Sequence, residues 1–254
     1  MNKNSVVIEN YINEKLLSYK RFMDIEKVPQ FELIINQEET VQTDIAVIAA
    51  HNYNVKTDTH TLTITKDITL GEKDHILFHE FTHMYDVITY SEKNSLLYFS
   101  NRGYTEYHAS QIELLKLLGA ESTFEKLSFS LNDHIKTIFG ETTILDYILT
   151  CKNGVRNLIT DAKFPDTLNT FISALGMIFN HLGRISICRM YANDYDLFKD
   201  DLEELTVEKS FLGQYSTQII SVAEGFFTKN QIVQLGLLFS QMAQELFNKY
   251  EKSF

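Results

Sequence analysis

Apolar residues recur at three- and four-residue intervals near the start of the chain. Ile8, Ile12, Leu16, Tyr19 and Phe22 share one helical face, which predicts a helix over about residues 5–22. Pro29 blocks helical continuation. Three extended stretches follow, at residues 31–35, 45–50 and 61–68. The last alternates Leu62 and Ile64 with Thr61, Thr63 and Thr65, as a half-buried strand does. Residues 52–59 between the second and third are polar and turn-like. From Thr69 the pattern becomes helical and stays so. Thr69-Leu70-Gly71-Glu72 has the T-x-x-E form of a capping box. The helix after it is expected to turn Ile76, Leu77, Phe81, Met84, Tyr85 and Ile88 inward. A polar connection near residues 91–103 leads to a second helix, from Thr105 through Leu118 to a stop at Gly119. The rest reads as five or six further helices, separated near Gly140, Asn153-Gly154, Pro165, Gly183, Asp200 and Gly213. Their expected core stripes include Leu168, Ile172, Leu175, Ile178 and Leu182, then Ile232, Leu235, Leu238, Met242 and Leu246. The predicted class is α+β: a small sheet with helices over residues 1–120, then a helical region over residues 121–254.

Charge narrows the function classes. The 254 residues carry 23 Lys+Arg against 34 Asp+Glu, a formal net charge of −11. A nucleic-acid partner held through phosphates calls for the opposite balance. The two cysteines, Cys151 and Cys188, sit in no C-x-x-C pair and imply no disulfide framework. Val6, Val7 and Ile8 run at once into Glu9 and Asn10, too short for a signal-peptide core. The apolar segments near residues 171–179 and 232–239 are interrupted by Ser, Gly or Gln. They fall short of the roughly 20 residues that cross a bilayer. The expectation is a cytoplasmic protein with no membrane partner.

His79-Glu80-Phe81-Thr82-His83 is an H-E-x-x-H motif, placed inside the helix predicted after Thr69. Two histidines four residues apart project from one helical face, so both rings can reach a single Zn²⁺. Zinc draws the pKa of a coordinated water towards neutrality, and a carboxylate at the Glu80 position can take its proton. With this His and Glu content the pattern arises by chance roughly 0.02 times in such a chain. A catalytic zinc also needs a third protein ligand. Asp86 and Thr89 occupy the places of the Gly and final His in the extended H-E-x-x-H-x-x-G-x-x-H form, which is therefore absent. The next helix offers Glu106, His108 and Glu113 instead. His75 lies two turns before His83, about 12 Å away in rise, so both cannot hold one ion. Tyr85, Tyr104 and His181 are oxyanion-stabilising candidates by residue type alone, each with a packing role as the alternative. The acidic stretch at residues 194–204 lacks EF-hand spacing and is expected to be a solvated face.

An H-E-x-x-H followed by a helix with E-x-x-A, here Glu106-Tyr107-His108-Ala109, resembles the gluzincin group of zinc metallopeptidases. It is similar also to small intracellular peptidases of phages and mobile elements. The resemblance covers about residues 30–120. It implies a zincin-like core at residues 1–120, with residues 121–254 completing the cleft. It further implies Glu106 as third ligand, Zn²⁺ as cofactor, Glu80 as general base and a peptide or protein as substrate. An edge strand at residues 45–50 or 61–68 would align that substrate. Many members place an Asp directly after the E-x-x-A to orient a ligand histidine, and here Ser110 stands in that place. Asp86 or Glu113 is then the expected orienting carboxylate. A zincin-fold binding protein with vestigial catalysis is the alternative.

Overall fold

The computed structural model describes residues 3–36, 40–42, 45–69, 73–91, 93–137, 140–222 and 224–251. The chain divides into two compact units, and the division differs from the expected break at residue 120. The first comprises Met1–Tyr98, Ile112–Glu125 and Lys136–Glu141; the second comprises Phe99–Gln111, Lys126–Ile135 and Thr142–Phe254. Both claim part of one unbroken helix.

In the first unit, α1 (Lys3–Met23) buries Ile8, Ile12, Tyr19 and Phe22, the predicted face except for half-buried Leu16. β1 (Phe31–Asn36) follows, then a hairpin of β2 (Thr40–Gln42) and β3 (Ile45–Val47), then β4 (Ala49–Asn54) and β5 (Thr59–Thr65). The stretch expected as one strand over 45–50 is therefore two. β4 also extends into residues expected as turn, because Ala49, His51 and Tyr53 continue a period-two face. The three-stranded sheet has the order β1-β5-β4, with β5 parallel to β1 and antiparallel to β4. β5 is thus central and cannot be the substrate-aligning edge; β4 can.

A 3₁₀ turn (Lys66–Thr69) with Ile68 fully buried leads to α2 (Asp74–Asp86). Leu70–Glu72 of the expected capping box lie outside the described residues, and α2 starts after Lys73, which makes no side-chain cap. Leu77, Phe78, Phe81 and Met84 are fully buried, whereas Ile88 is exposed and falls in the π-helical turn Val87–Ser91. Aromatic edges join α1 to α2: Tyr19 meets Phe78 at 5.4 Å and Phe81 at 5.5 Å, and Phe22 meets Phe78 at 5.2 Å. The Tyr19 hydroxyl donates to Thr82 Oγ1 at 3.2 Å, and burial raises its pKa well above the ordinary range.

The expected polar connection contains α3 (Ser95–Ser100), and the shared helix α4 (Arg102–Leu117) begins three residues before Thr105. Thr105 is therefore inside the helix, its amide bonded to the Asn101 carbonyl, rather than its cap. Gly119, at φ +84°, does terminate α4. A short ribbon of β6 (His134–Thr137) and β7 (Gly140–Thr143), which the pattern did not predict, precedes the remaining helices.

In the second unit these are α5 (Ile144–Thr160), α6 (Leu168–Tyr191), α7 (Tyr195–Glu203), α8 (Thr206–Leu212), α9 (Ser216–Val222) and α10 (Lys229–Tyr250). Neither Asn153-Gly154 nor Gly183 breaks a helix: α5 and α6 run straight through them. In α6, Leu168 and Ile172 face outward while Phe171, Ala174, Leu175, Ile178 and Leu182 are buried. α10 buries Phe239 where Leu238 was expected, beside Ile232, Leu235, Met242 and Leu246. α6 is long and apolar enough by length and composition to cross a membrane, with a mean hydropathy of 1.3. However, 72% of that window is packed inside the protein, as in a core helix.

Candidate metal centre

α2 brings the motif to one place because residues four apart share a helical face. The His79 and His83 rings lie 4.7 Å apart, nearly perpendicular, with His83 buried and His79 half-buried. His79, His83 and Glu106 each offer one ligand atom, and these atoms all lie within 4.8 Å of one another. Of the three α4 alternatives for a third ligand, the cluster contains Glu106. It sits one turn inside α4, not in the first turn, because the helix starts early.

Glu113 lies two turns further along the same helix, about 10 Å in rise. Its Oε2 is 2.9 Å from His79 Nδ1. A carboxylate on Nδ1 fixes the tautomer in which Nε2 carries the ligating lone pair, the usual arrangement behind a metal-bound histidine. Of the two expected orienting carboxylates, Glu113 stands behind His79, and Asp86 is buried in the last turn of α2. Ser110 is fully buried and donates to the Tyr107 carbonyl at 2.9 Å.

Glu80 is 9% exposed, and its Oε2 accepts the backbone N–H of His51 at 2.6 Å. His51 belongs to β4, on the face that also carries Ala49 and Tyr53. Its Nε2 is 3.0 Å from His60 Nδ1 on β5, and its ring stacks 6.5 Å from that of His83. Register pairs His51 with Leu62 and Tyr53 with His60, so the two histidines are diagonal neighbours on one face. Burial lowers the His60 pKa, against an opposing pull from Asp58. Sequence reasoning missed both residues. The period-two set Ala49, His51, Tyr53 was the available signal, masked by the polar character of residues 52–59.

The oxyanion candidates lie in different surroundings. His181 is enclosed in the second unit, with Nε2 3.1 Å from the Leu202 carbonyl; burial pushes its pKa down to about 3. Tyr104 is buried, stacked on His108 at 5.4 Å and on Phe227 at 5.9 Å. That stack also buries His108, which was expected either as a ligand or on the helix surface. Tyr85 is half-buried, its carbonyl accepting the Thr89 hydroxyl. His75 is buried in the first turn of α2. The acidic stretch is solvated at Asp196, Asp200, Asp201 and Glu204, as expected, with several of its carboxylates also bonded to neighbours. Asp194 accepts from Ser130 Oγ and Leu131 N, Glu203 pairs with Arg189, and Glu204 pairs with Arg156.

The donor set fits a zinc ion: two imidazole nitrogens and one carboxylate oxygen, close enough for one ion and leaving a position for water. No family model, curated protein or solved structure matches this chain.

Proposed function

We propose that this chain is a zinc-dependent metallopeptidase that hydrolyses peptide bonds in a peptide or protein substrate, built on a zincin-like core. The observation that carries this reading is the convergence of His79, His83 and Glu106 beside Glu80, with Glu113 behind His79. Bound Zn²⁺ would polarise the scissile carbonyl and acidify a water molecule. His79, His83 and Glu106 would hold the ion, and the Glu113 carboxylate keeps His79 Nδ1 occupied. Glu80 acts as general base, accepting a proton on its carboxylate and passing it to the departing amine. The His51 N–H restrains that carboxylate through Oε2. The outer edge of β4, apart from the His51 N–H that Glu80 takes, aligns an extended substrate by main-chain pairing, since β4 pairs only with β5 among the described residues.

Glu80→Gln tests the assignment, because glutamine keeps an oxygen for His51 N–H yet cannot act as a base. The variant should retain its metal and lose about 10²–10⁴-fold in cleavage rate of a peptide that the wild type cuts. Undiminished cleavage would overturn the role of Glu80. Stoichiometric zinc with no cleavage of a broad peptide library by the wild type would favour a binding protein instead.

A further inference from the structure

The second unit holds the Glu106 carboxylate from three directions. Arg102, one turn earlier on α4, places Nη2 2.8 Å from Oε1. Asn180 on α6 donates from Nδ2 to Oε2 at 3.2 Å. Gly176, one turn before Asn180, stands against the same group: a Cβ there would lie 3.3 Å from Glu106 Cδ and 3.4 Å from Oε1.

An Arg–Glu pair at i, i+4 is by itself an ordinary helix contact. Asn180 and Gly176 are not explained that way. The Asn180 Oδ1 is buried without a partner, so the amide's orientation rests on its bond to Glu106. Turning the amide over would set its oxygen against the carboxylate. The absent Cβ at position 176 supplies the room that the carboxylate occupies. Arg102 thus holds one carboxylate oxygen and Asn180 the other. The guanidinium offsets the charge of a carboxylate whose side chain is only 13% exposed.

We propose that Arg102, Asn180 and Gly176 form a carboxylate cradle that presets Glu106 as a metal ligand, with α6 supplying two of its three members. They are positioning residues, acting through Glu106. This rests on the metal-site reading above and gives the helical region a definite part in it.

The test measures Zn²⁺ affinity by competition with a chromophoric chelator, on the full chain. Wild type is compared with Arg102→Met, Arg102→Lys, Asn180→Leu, Gly176→Ala and Glu106→Ala. The visible absorption of each Co²⁺-loaded protein and the unfolding midpoint of each metal-free protein are recorded alongside. Arg102→Met, Asn180→Leu and Gly176→Ala should each weaken zinc about 10–100-fold and alter the Co²⁺ spectrum. Their metal-free midpoints should stay close to wild type. Arg102→Lys, which keeps the charge without the planar fork, should recover part of the loss. Affinities within about twofold of wild type and unchanged spectra across the cradle variants, with Glu106→Ala still defective, would overturn the cradle alone. A wild type that binds no zinc, or a Glu106→Ala variant that binds it as well as wild type, would overturn the metal-site reading and the cradle with it.

Discussion

His181 illustrates how burial converts a titratable side chain into a pH-dependent element of stability. Its Nε2–H donates to the Leu202 carbonyl, and its Nδ1 is buried without a partner. Desolvation is the leading cause of a pKa of about 3; Arg184, Lys152 and Arg156 push the same way, and the Leu202 bond opposes them. Between about pH 3 and the ordinary value of 6.5, the unfolded chain binds a proton that the folded chain refuses. The contribution to stability is therefore complete above pH 6.5 and is lost as pH falls. Its slope approaches about 1.4 kcal/mol per unit. Urea unfolding at pH 7 and pH 5 should show wild type losing about 2 kcal/mol more than His181→Gln. Equal losses would contradict this account. At this scale the local, helical part of the site was legible: His79, Glu80 and His83 follow from an i, i+4 rule, and Glu113 was a named alternative. His51 and Asn180 were not legible, because only strand pairing and helix packing bring them to their partners.

Glycines show why helix boundaries were harder to read than helices. Gly140, Gly183 and Gly213 look alike in a sequence, yet they differ in what they do. Gly213 adopts φ +58° at the end of α8 and terminates the helix there. Gly183 lies inside α6, where a Cβ would approach Ser110 Oγ to 2.1 Å and the Tyr107 carbonyl oxygen to 2.2 Å. It lets α4 and α6 come together, and the carbonyl, being backbone, cannot rotate aside. Gly183→Ala should therefore cost about 3 kcal/mol or more in urea unfolding. Gly154, inside α5, meets only Met177 Cε at an ordinary 3.5 Å. Gly154→Ala should stabilise by about 0.5–1 kcal/mol, as alanine does in a helix interior. Loss in both, or in neither, would contradict the packing assigned to α6. The strands show the same limit. The alternation of β5 was legible because Leu62 and Ile64 are fully buried, but the break between β3 and β4 carries no proline or glycine to mark it.

At the scale of the whole molecule, the coarse class was legible and the partition was not. A run of helical periodicity after a few β-branched stretches suffices for α+β. The two compact units do not follow the expected division at residue 120: α4 belongs to both, and Lys136–Glu141 returns to the first unit after an excursion into the second. Contacts between segments distant in sequence decide such a partition, and periodicity is blind to them. The shared helix also matters chemically. Glu113 and Glu106, two turns apart on α4, are assigned different work: one holds a histidine and the other meets the ion. Metal analysis by mass spectrometry tests that claim most directly, on wild type, Glu106→Ala and Glu113→Ala purified without added metal and dialysed against a weak chelator. The account predicts about one zinc per chain in the wild type, most of it retained in Glu113→Ala and little in Glu106→Ala. A wild type without bound metal, or Glu106→Ala carrying as much as the wild type, would contradict it.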